Sequence, residues 1–121
     1  MEDLILLPVT EDMPAGTDFC LRLDNDCMEP WFHRGQLLYV SRAQSPEEMA
    51  AGIFFCRGRI LCRQWCEDYA GTLHLLCANP ERESENLSLS RDEKDACLCL
   101  GTVLPMRRLP MPVYWSRRKN L

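Results

Sequence analysis

The chain has 121 residues, 46% of which are hydrophobic, and a formal net charge of −4. This composition predicts one globular domain with a modest core and excludes an intrinsically disordered chain. The net negative charge argues against a surface that coats a nucleic acid backbone, because such binding needs a basic face. No apolar run approaches the roughly 20 residues of a membrane span, and the acidic start is not that of a signal peptide. We therefore expect a cytoplasmic protein with no membrane partner.

The chain predicts short strands that are separated by turns. Residues 57–59 read Arg-Gly-Arg between two apolar runs and predict a hairpin loop. Pro105 ends the last strand. His33 and His74 stand apart from each other and from any carboxylate pattern, and we expect a turn residue and a strand residue. The predicted strands cover residues 19–23, 36–40, 53–56, 60–65, 72–77 and 97–104.

Helix signals are few. Ser45 as a cap, Pro46 at the first helical position and Glu48 three residues after the cap predict one helical turn over 45–50. The polar segment 79–94 predicts a long surface loop. No pair of amphipathic helices supplies a helix-turn-helix. The predicted fold class is therefore mainly β, a barrel or folded sheet with few short helical turns.

The eight cysteines of the chain lie mostly within apolar runs, such as 54–56 and 96–100. A reduced Cys in such a run behaves as a small hydrophobe. Disulfides are the alternative for a secreted mini-protein. The pairs 62–66 and 97–99 could be assembled into a zinc site, but they lie in strand-like sequence rather than in knuckle turns. We expect reduced core cysteines, no metal and no other cofactor.

The segment 19–30, FCLRLDNDCMEP, resembles the "lRvdGdSMeP" motif of the LexA-like S24 peptidase family. Further resemblances follow in the family's order at residues 32–40, 52–56, 60–65, 75–80 and 100–104. This bacterial and phage-borne family includes the SOS repressor and lambda-type phage repressors. The resemblance implies a LexA- and signal-peptidase-like folded β-sheet or barrel. It also implies self-cleavage at an Ala-Gly or Cys-Gly bond, and dimerisation.

The resemblance places Cys27 in the position of the nucleophilic serine and Arg63 in the position of the lysine base. In the family the lysine is buried and neutral, and it removes the proton of the serine hydroxyl. Arg stays protonated and cannot be a general base, so both positions are predicted to be catalytically degenerate. Two alternatives remain: a Cys27 thiolate made reactive or redox-sensing by the guanidinium, and residual self-cleavage.

Ala15–Gly16 is the candidate cleavage bond, because it is the chain's Ala-Gly dipeptide. The tether between Gly16 and Phe19 spans only about 10 Å when extended, which makes folding the bond back onto the nucleophile strained. We therefore expect Ala15–Gly16 to be a plain turn. Asn25 replaces the usual glycine of the nucleophile turn, and Asn tolerates left-handed backbone.

The expected organisation is an N-terminal lead-in segment over 1–13, an S24 peptidase-like domain over 14–106 and a basic C-terminal tail over 107–121. We expect a catalytically degenerate domain of a phage-type or bacterial transcriptional regulator, of the kind that acts in the SOS response. The domain is expected to act as a homodimer. DNA would be bound only through an N-terminal helix-turn-helix outside this chain. The alternatives are a self-cleaving peptidase with Cys27 as nucleophile, and a stand-alone accessory or interaction protein.

Overall fold

The computed structural model describes residues 4–44 and 47–115, without the side chains of residues 4–6. Two 3-10 helices, Pro80–Glu85 and Arg91–Ala96, lie on either side of one short strand. Strands dominate this part of the chain, as the sequence predicts. They are β1 (Leu4–Leu7), β2 (Phe19–Leu23), β3 (Leu37–Arg42), β4 (Ala51–Cys56), β5 (Arg59–Glu67), β6 (Leu73–Leu76), β7 (Leu87–Leu89) and β8 (Cys97–Leu104).

The eight described strands form one sheet in the order β1-β2-β3-β8-β4-β5-β6-β7. Each neighbouring pair is antiparallel. The predicted mainly β fold class is confirmed. Among these strands β1 and β7 are the two ends of the sheet and do not pair with each other, so the sheet is folded and open rather than closed into a barrel.

The hairpin predicted at residues 57–59 forms between β4 and β5, with a loop of two residues because Arg59 already belongs to β5. Arg57 has φ of 54° and Gly58 has φ of 79°. Positive φ at both central residues is the requirement of the tight turn that suits the twist of paired strands. The turn sets the register in which Gly52 of β4 lies opposite Arg63 of β5.

Two segments hold strands that the sequence analysis did not predict. Residues 79–94 were expected to form a loop, but they contain the first 3-10 helix, the start of the second, and β7, where Leu89 is buried. β7 is only three residues long. Its alternation of apolar and polar residues is too short to stand out from the polar sequence on either side. The expected lead-in 1–13 contains β1, which pairs with β2 from Leu4 opposite Leu23.

The helical turn expected over 45–50 does not form as predicted in its described part. Residues 45 and 46 lie outside the described residues. Met49 has φ of 68°, which is incompatible with a right-handed helix. The Met49 backbone N–H instead donates to the Trp65 carbonyl at 2.8 Å. This contact extends the pairing with β5 to the residues just before β4.

The described part of the expected C-terminal tail, residues 107–115, packs on the sheet. Leu109 and Trp115 are buried. The fully buried amide of Gln64 donates from Nε2 to the Leu109 carbonyl at 2.9 Å and to the Met49 carbonyl at 3.0 Å. The amide therefore joins the segment after β8 to the segment before β4. Residues 116–121 of the expected tail lie outside the described residues.

The two larger of three clusters of buried side chains in the described residues stabilise most of the sheet. Leu38, Val40 and Ile53 belong to the first, and Met28 and Phe32 join it from the turn after β2. Burial of a side chain the size of Met28 contributes about 2 kcal/mol, so this turn is firmly attached. The second cluster contains Phe54, Cys56, Leu61, Leu73, Leu75 and Leu89.

No helix in the described residues is long and apolar enough to cross a membrane.

Candidate functional site

Cys27 lies in the turn that follows β2, and its side chain is only 5% exposed. Its backbone N–H donates to Asn25 Oδ1 at 3.1 Å, which is an Asx-turn. Met49 and Arg57 are the only non-glycine residues with positive φ in the described part of the chain. Asn25 therefore shapes the turn through its side chain, not through the left-handed backbone that the sequence analysis considered.

Arg63 lies in the middle of β5 and is 1% exposed. Its Nη1 donates to the Cys62 carbonyl at 2.8 Å, and its Nε has no hydrogen-bond partner. Among the described residues, no carboxylate forms an ion pair with this guanidinium. A buried cation is costly unless an anion lies nearby, so Arg63 favours negative charge in its surroundings.

Cys77 follows β6 directly and is completely buried. Its backbone N–H donates to Asn86 Oδ1 at 2.7 Å, and its carbonyl accepts a hydrogen bond from the Tyr114 hydroxyl. Both main-chain polar groups are thereby fixed. These contacts hold the Cys77 side chain in one place on the inner side of the site.

Asn79 joins the segment after β6 to the turn after β2. Its backbone N–H donates to the Cys27 carbonyl at 3.0 Å, and its Nδ2 donates to the Asp26 carbonyl at 3.0 Å. These two hydrogen bonds bring the Cys27 and Cys77 thiols into hydrogen-bond contact. The two sulfur atoms come from segments that are distant in sequence but held together by backbone contacts.

The thiols of this site differ in acidity. The hydrogen bond from Cys77 and the charge of Arg63 lower the pKa of Cys27 from 9.0 to about 7, against the effect of burial. The same hydrogen bond, and then burial, raise the pKa of Cys77 well above its ordinary value. Burial raises the pKa of Cys62 to about 12. Near neutral pH a substantial fraction of Cys27 is therefore ionised beside a protonated Cys77.

Cys27 lies at the wall of an open cleft that carries more cationic than anionic side chains. Arg82 donates to Asp26 through Nε at 2.7 Å and through a second nitrogen at 3.3 Å. Both residues of this ion pair line the cleft, and the hydrogen bond from Arg82 lowers the pKa of the Asp26 carboxyl. The cleft is lined by Asn25, Asp26, Cys27, Arg34, Arg59, Arg82 and Glu85.

This arrangement can generate a nucleophilic thiolate at Cys27, but it is poorly suited to protonating the leaving amine in a peptidase reaction. Cys27 ionises without a general base, because its thiolate is stabilised in place. A departing amine needs a proton, and the guanidinium at the base position does not give one up at physiological pH. The site therefore fits thiol chemistry better than amide hydrolysis.

The structure does not bring Ala15–Gly16 to Cys27. Pro14 accepts hydrogen bonds from the Thr17 backbone at 3.2 Å and from the Thr17 hydroxyl at 2.6 Å, and Gly16 has φ of 90°. The bond is thus in an exposed turn before β2, whereas Cys27 follows β2. At about 3.3 Å per residue, β2 alone separates the two by roughly 15 Å.

His74 is in β6, as a predicted strand residue, but it is not isolated from carboxylates. Its Nε2 contacts Asp68 Oδ2 at 2.9 Å and its Nδ1 contacts Ser88 Oγ at 2.8 Å. Asp68 also accepts backbone N–H groups of residues 70 and 72, and the His74 ring packs on Trp115. The network closes the β5–β6 turn and joins it to β7, so its role is structural.

Sequence reasoning identified Cys27 and Arg63 but did not single out Cys77 as a site residue. Cys77 ends a continuous apolar strand, and such a position is typical of a core cysteine. The available signal was the Asn-Pro dipeptide at residues 79–80, within a matched motif. Asn79 is the residue that ties Cys77 to the Cys27 turn.

No protein-family model matches this chain, and no curated protein matches it. The resemblance to S24 peptidases therefore rests on the order of short motifs. Within the described residues, no group of three or more His, Cys, Asp or Glu side chains is arranged to hold a metal ion.

Proposed function

We propose that this chain is a catalytically degenerate, S24 peptidase-like domain of a phage-type or bacterial transcriptional regulator, which acts by self-association. One observation carries the proposal. Cys27 and Arg63 are far apart in sequence, yet both are buried at one site where the charge of Arg63 acts on the Cys27 thiol. These are the positions that the resemblance assigns to the nucleophile and the base.

The pairing supports a domain that keeps the plan of the peptidase site without its proton transfers. A fixed guanidinium can stabilise an anion, but it cannot cycle between acid and base as a neutral lysine does. The remote position of Ala15–Gly16 supports the same interpretation. With peptide cleavage disfavoured, self-association is the role of the family's domain that we propose for this chain.

Two exposed apolar side chains give the self-association a candidate surface. Phe55 of β4 is 41% exposed and Leu98 of β8 is 58% exposed. They are opposite each other in the register of these two central strands and therefore form one apolar patch, next to the β4–β5 hairpin. A second copy of the chain would remove this patch from water.

Sedimentation equilibrium tests the proposal. We expect the wild-type chain to form dimers and Phe55→Ser with Leu98→Ser to shift it toward monomers. Tyr69→Ser is the matched control, because Tyr69 is fully exposed in the β5–β6 turn and lies outside the patch. A wild-type chain that stays monomeric at every concentration would refute self-association. Dimers that are indifferent to the double substitution would refute this surface.

The second candidate is a self-cleaving peptidase with Cys27 as nucleophile. The observation that favours it is the lowered pKa of Cys27, since a thiolate attacks without a general base. It predicts a break between Ala15 and Gly16. The intact mass of the chain distinguishes the two candidates.

A further inference from the structure

We propose that Cys27 and Cys77 form a redox-active dithiol site that reduces hydroperoxides and closes into an intramolecular disulfide. The substrate class is a small hydroperoxide, ROOH, with hydrogen peroxide as the simplest member. The inference concerns the chemistry of the site itself and holds whether or not the chain self-associates.

The first support is the convergence of two thiols from separate segments. Asn79 donates to the Cys27 carbonyl at 3.0 Å and to the Asp26 carbonyl at 3.0 Å, two residues beyond Cys77. The clamp keeps the two backbones adjacent, and the thiols are hydrogen-bond partners. A disulfide needs Cα atoms within about 4.4–6.8 Å, so a clamp that holds the two segments together favours its formation.

The second support is the buried charge of Arg63. This guanidinium is 1% exposed, has an unpartnered Nε and forms no ion pair with a described carboxylate. A cation in such a place needs a nearby anion, and the thiolate of Cys27 is the one that its charge stabilises. Oxidants react with thiolates rather than thiols, so Arg63 prepares Cys27 for attack.

The third support is the difference in access between the two sulfur atoms. Cys27 lines the cleft together with Arg34, Arg59 and Arg82, whereas Cys77 is completely buried and does not line it. A small oxidant thus reaches Cys27 first. Cys77 is placed to react with the product, which is the order that a peroxide-reactive cysteine and its resolving partner require.

The first step is a two-electron oxidation of Cys27. Its thiolate attacks one peroxide oxygen, the S–O bond forms and the O–O bond breaks. The released alkoxide or hydroxide takes a proton from water and leaves as alcohol or water. Cys27 becomes a sulfenic acid, and the hydroperoxide is reduced by the same two electrons.

The second step transfers the oxidation to the pair. Once Cys27 is a neutral sulfenic acid, the hydrogen bond to its thiolate, which contributes most to the raised pKa of Cys77, is gone together with the thiolate charge, while Arg63 still favours an anion there. The Cys77 sulfur loses its proton and attacks the Cys27 sulfur. The S–S bond forms, the S–O bond breaks, and hydroxide leaves with the proton as water. A dithiol reductant restores both thiols by exchange.

The chain contains its own comparison pair. Cys56 and Cys97 are opposite each other in the register of β4 and β8. Burial, together with Cys56, raises the pKa of Cys97 to about 12. Cys97 therefore stays protonated near neutral pH, and we expect this pair to remain reduced while Cys27 and Cys77 react.

The test uses the full reduced chain and equimolar hydrogen peroxide near neutral pH, followed by alkylation and peptide mapping. We expect one linked peptide pair that joins Cys27 to Cys77, with the other cysteines alkylated. Cys77→Ser should leave a sulfenic acid at Cys27 that dimedone traps. Cys99→Ser is the control and should form the same link as the wild-type chain.

Two results would overturn the proposal. One is a wild-type map in which Cys56 and Cys97 link first. The other is a map in which Cys27 is oxidised no faster than the partly exposed Cys99. Because both are read from the wild-type chain, they decide the question even if Cys77→Ser fails to fold.

Discussion

Arg63 is the residue on which the chemistry of the site depends. A lysine in its place would lose its proton on burial and serve as a base, but an arginine keeps its charge. The consequence appears at Cys27, whose pKa falls to about 7 through the Cys77 hydrogen bond and the Arg63 charge. The residue type at position 63 thus decides whether the site can transfer protons or can only stabilise a thiolate.

Removal of the Arg63 charge should raise the pKa of Cys27. We expect iodoacetamide labelling of Cys27 to show a midpoint near pH 7 in the wild-type chain and a higher midpoint in Arg63→Met. Arg57→Met, in the exposed β4–β5 turn, is the control and should leave the midpoint unchanged. A wild-type midpoint near the ordinary value of 9.0 would show that Arg63 does not activate this thiol.

The lowered pKa of Cys27 also makes stability depend on pH. Between about pH 7 and the ordinary value of 9.0, the unfolded chain binds the Cys27 proton and the native chain does not. The free energy of unfolding should therefore rise with pH in this window, by roughly 1 kcal/mol per pH unit, and this gain should vanish as pH falls through 7. Urea titrations of the wild-type chain and Cys27→Ser isolate the effect by difference. Parallel pH profiles would contradict it.

The residues of the site were only partly predictable. Cys27 and Arg63 follow from the order of motifs, because motif spacing preserves positions even when residue types change. Cys77 could not be singled out, since its role depends on the clamp by Asn79 across two distant segments. The Ser88–His74–Asp68 network is equally a product of strand pairing and turn geometry.

At the scale of elements, β8 is the strand that completes the sheet. It enters between β3 and β4, so both of its edges are paired. Gly101 lies where the backbones approach most closely. An added Cβ there would stand 2.5 Å from a Val40 methyl carbon and 2.6 Å from the Ser41 carbonyl oxygen.

Gly101→Ala should therefore destabilise the chain by about 3 kcal/mol, because backbone atoms cannot yield as a flexible side chain does. Gly16→Ala is the comparison. Nothing surrounds Gly16, but its φ of 90° makes an alanine strained by about 1 kcal/mol. Urea denaturation midpoints measure both losses. Equal losses would mean that the close contact between β8 and β3 does not matter.

Strands with a clear apolar pattern were predicted well. Strands and turns whose structure depends on pairing with distant residues were not. β2 and β8 have the predicted bounds because their apolar patterns are bounded by turn residues. β1 and β7 were missed because a four-residue and a three-residue strand carry too little pattern. The turn around Met49 was misjudged because sheet pairing overrides its local helix signals.

At the scale of the molecule, a Cys27–Cys77 disulfide would join the turn after β2 to the end of β6. The closed loop of about 50 residues removes entropy from the unfolded chain, and we expect the oxidised form to gain up to about 4 kcal/mol of stability. Urea denaturation of the oxidised and reduced chains measures the gain. Cys77→Ser should show no change on oxidation, and a wild-type chain destabilised by oxidation would mean that the bond distorts the fold.

The most direct measurement of the central claim, that the peptidase plan is retained without peptidase chemistry, is the intact mass of the chain after long incubation at mildly alkaline pH. Cys27→Ser with Arg63→Lys, which restores the residue types of the dyad, is incubated in parallel with an added peptide that contains an Ala-Gly bond. We expect the wild-type chain to remain at full mass and the restored variant to cut the added peptide. Cleavage of the wild-type chain between Ala15 and Gly16 would contradict the claim.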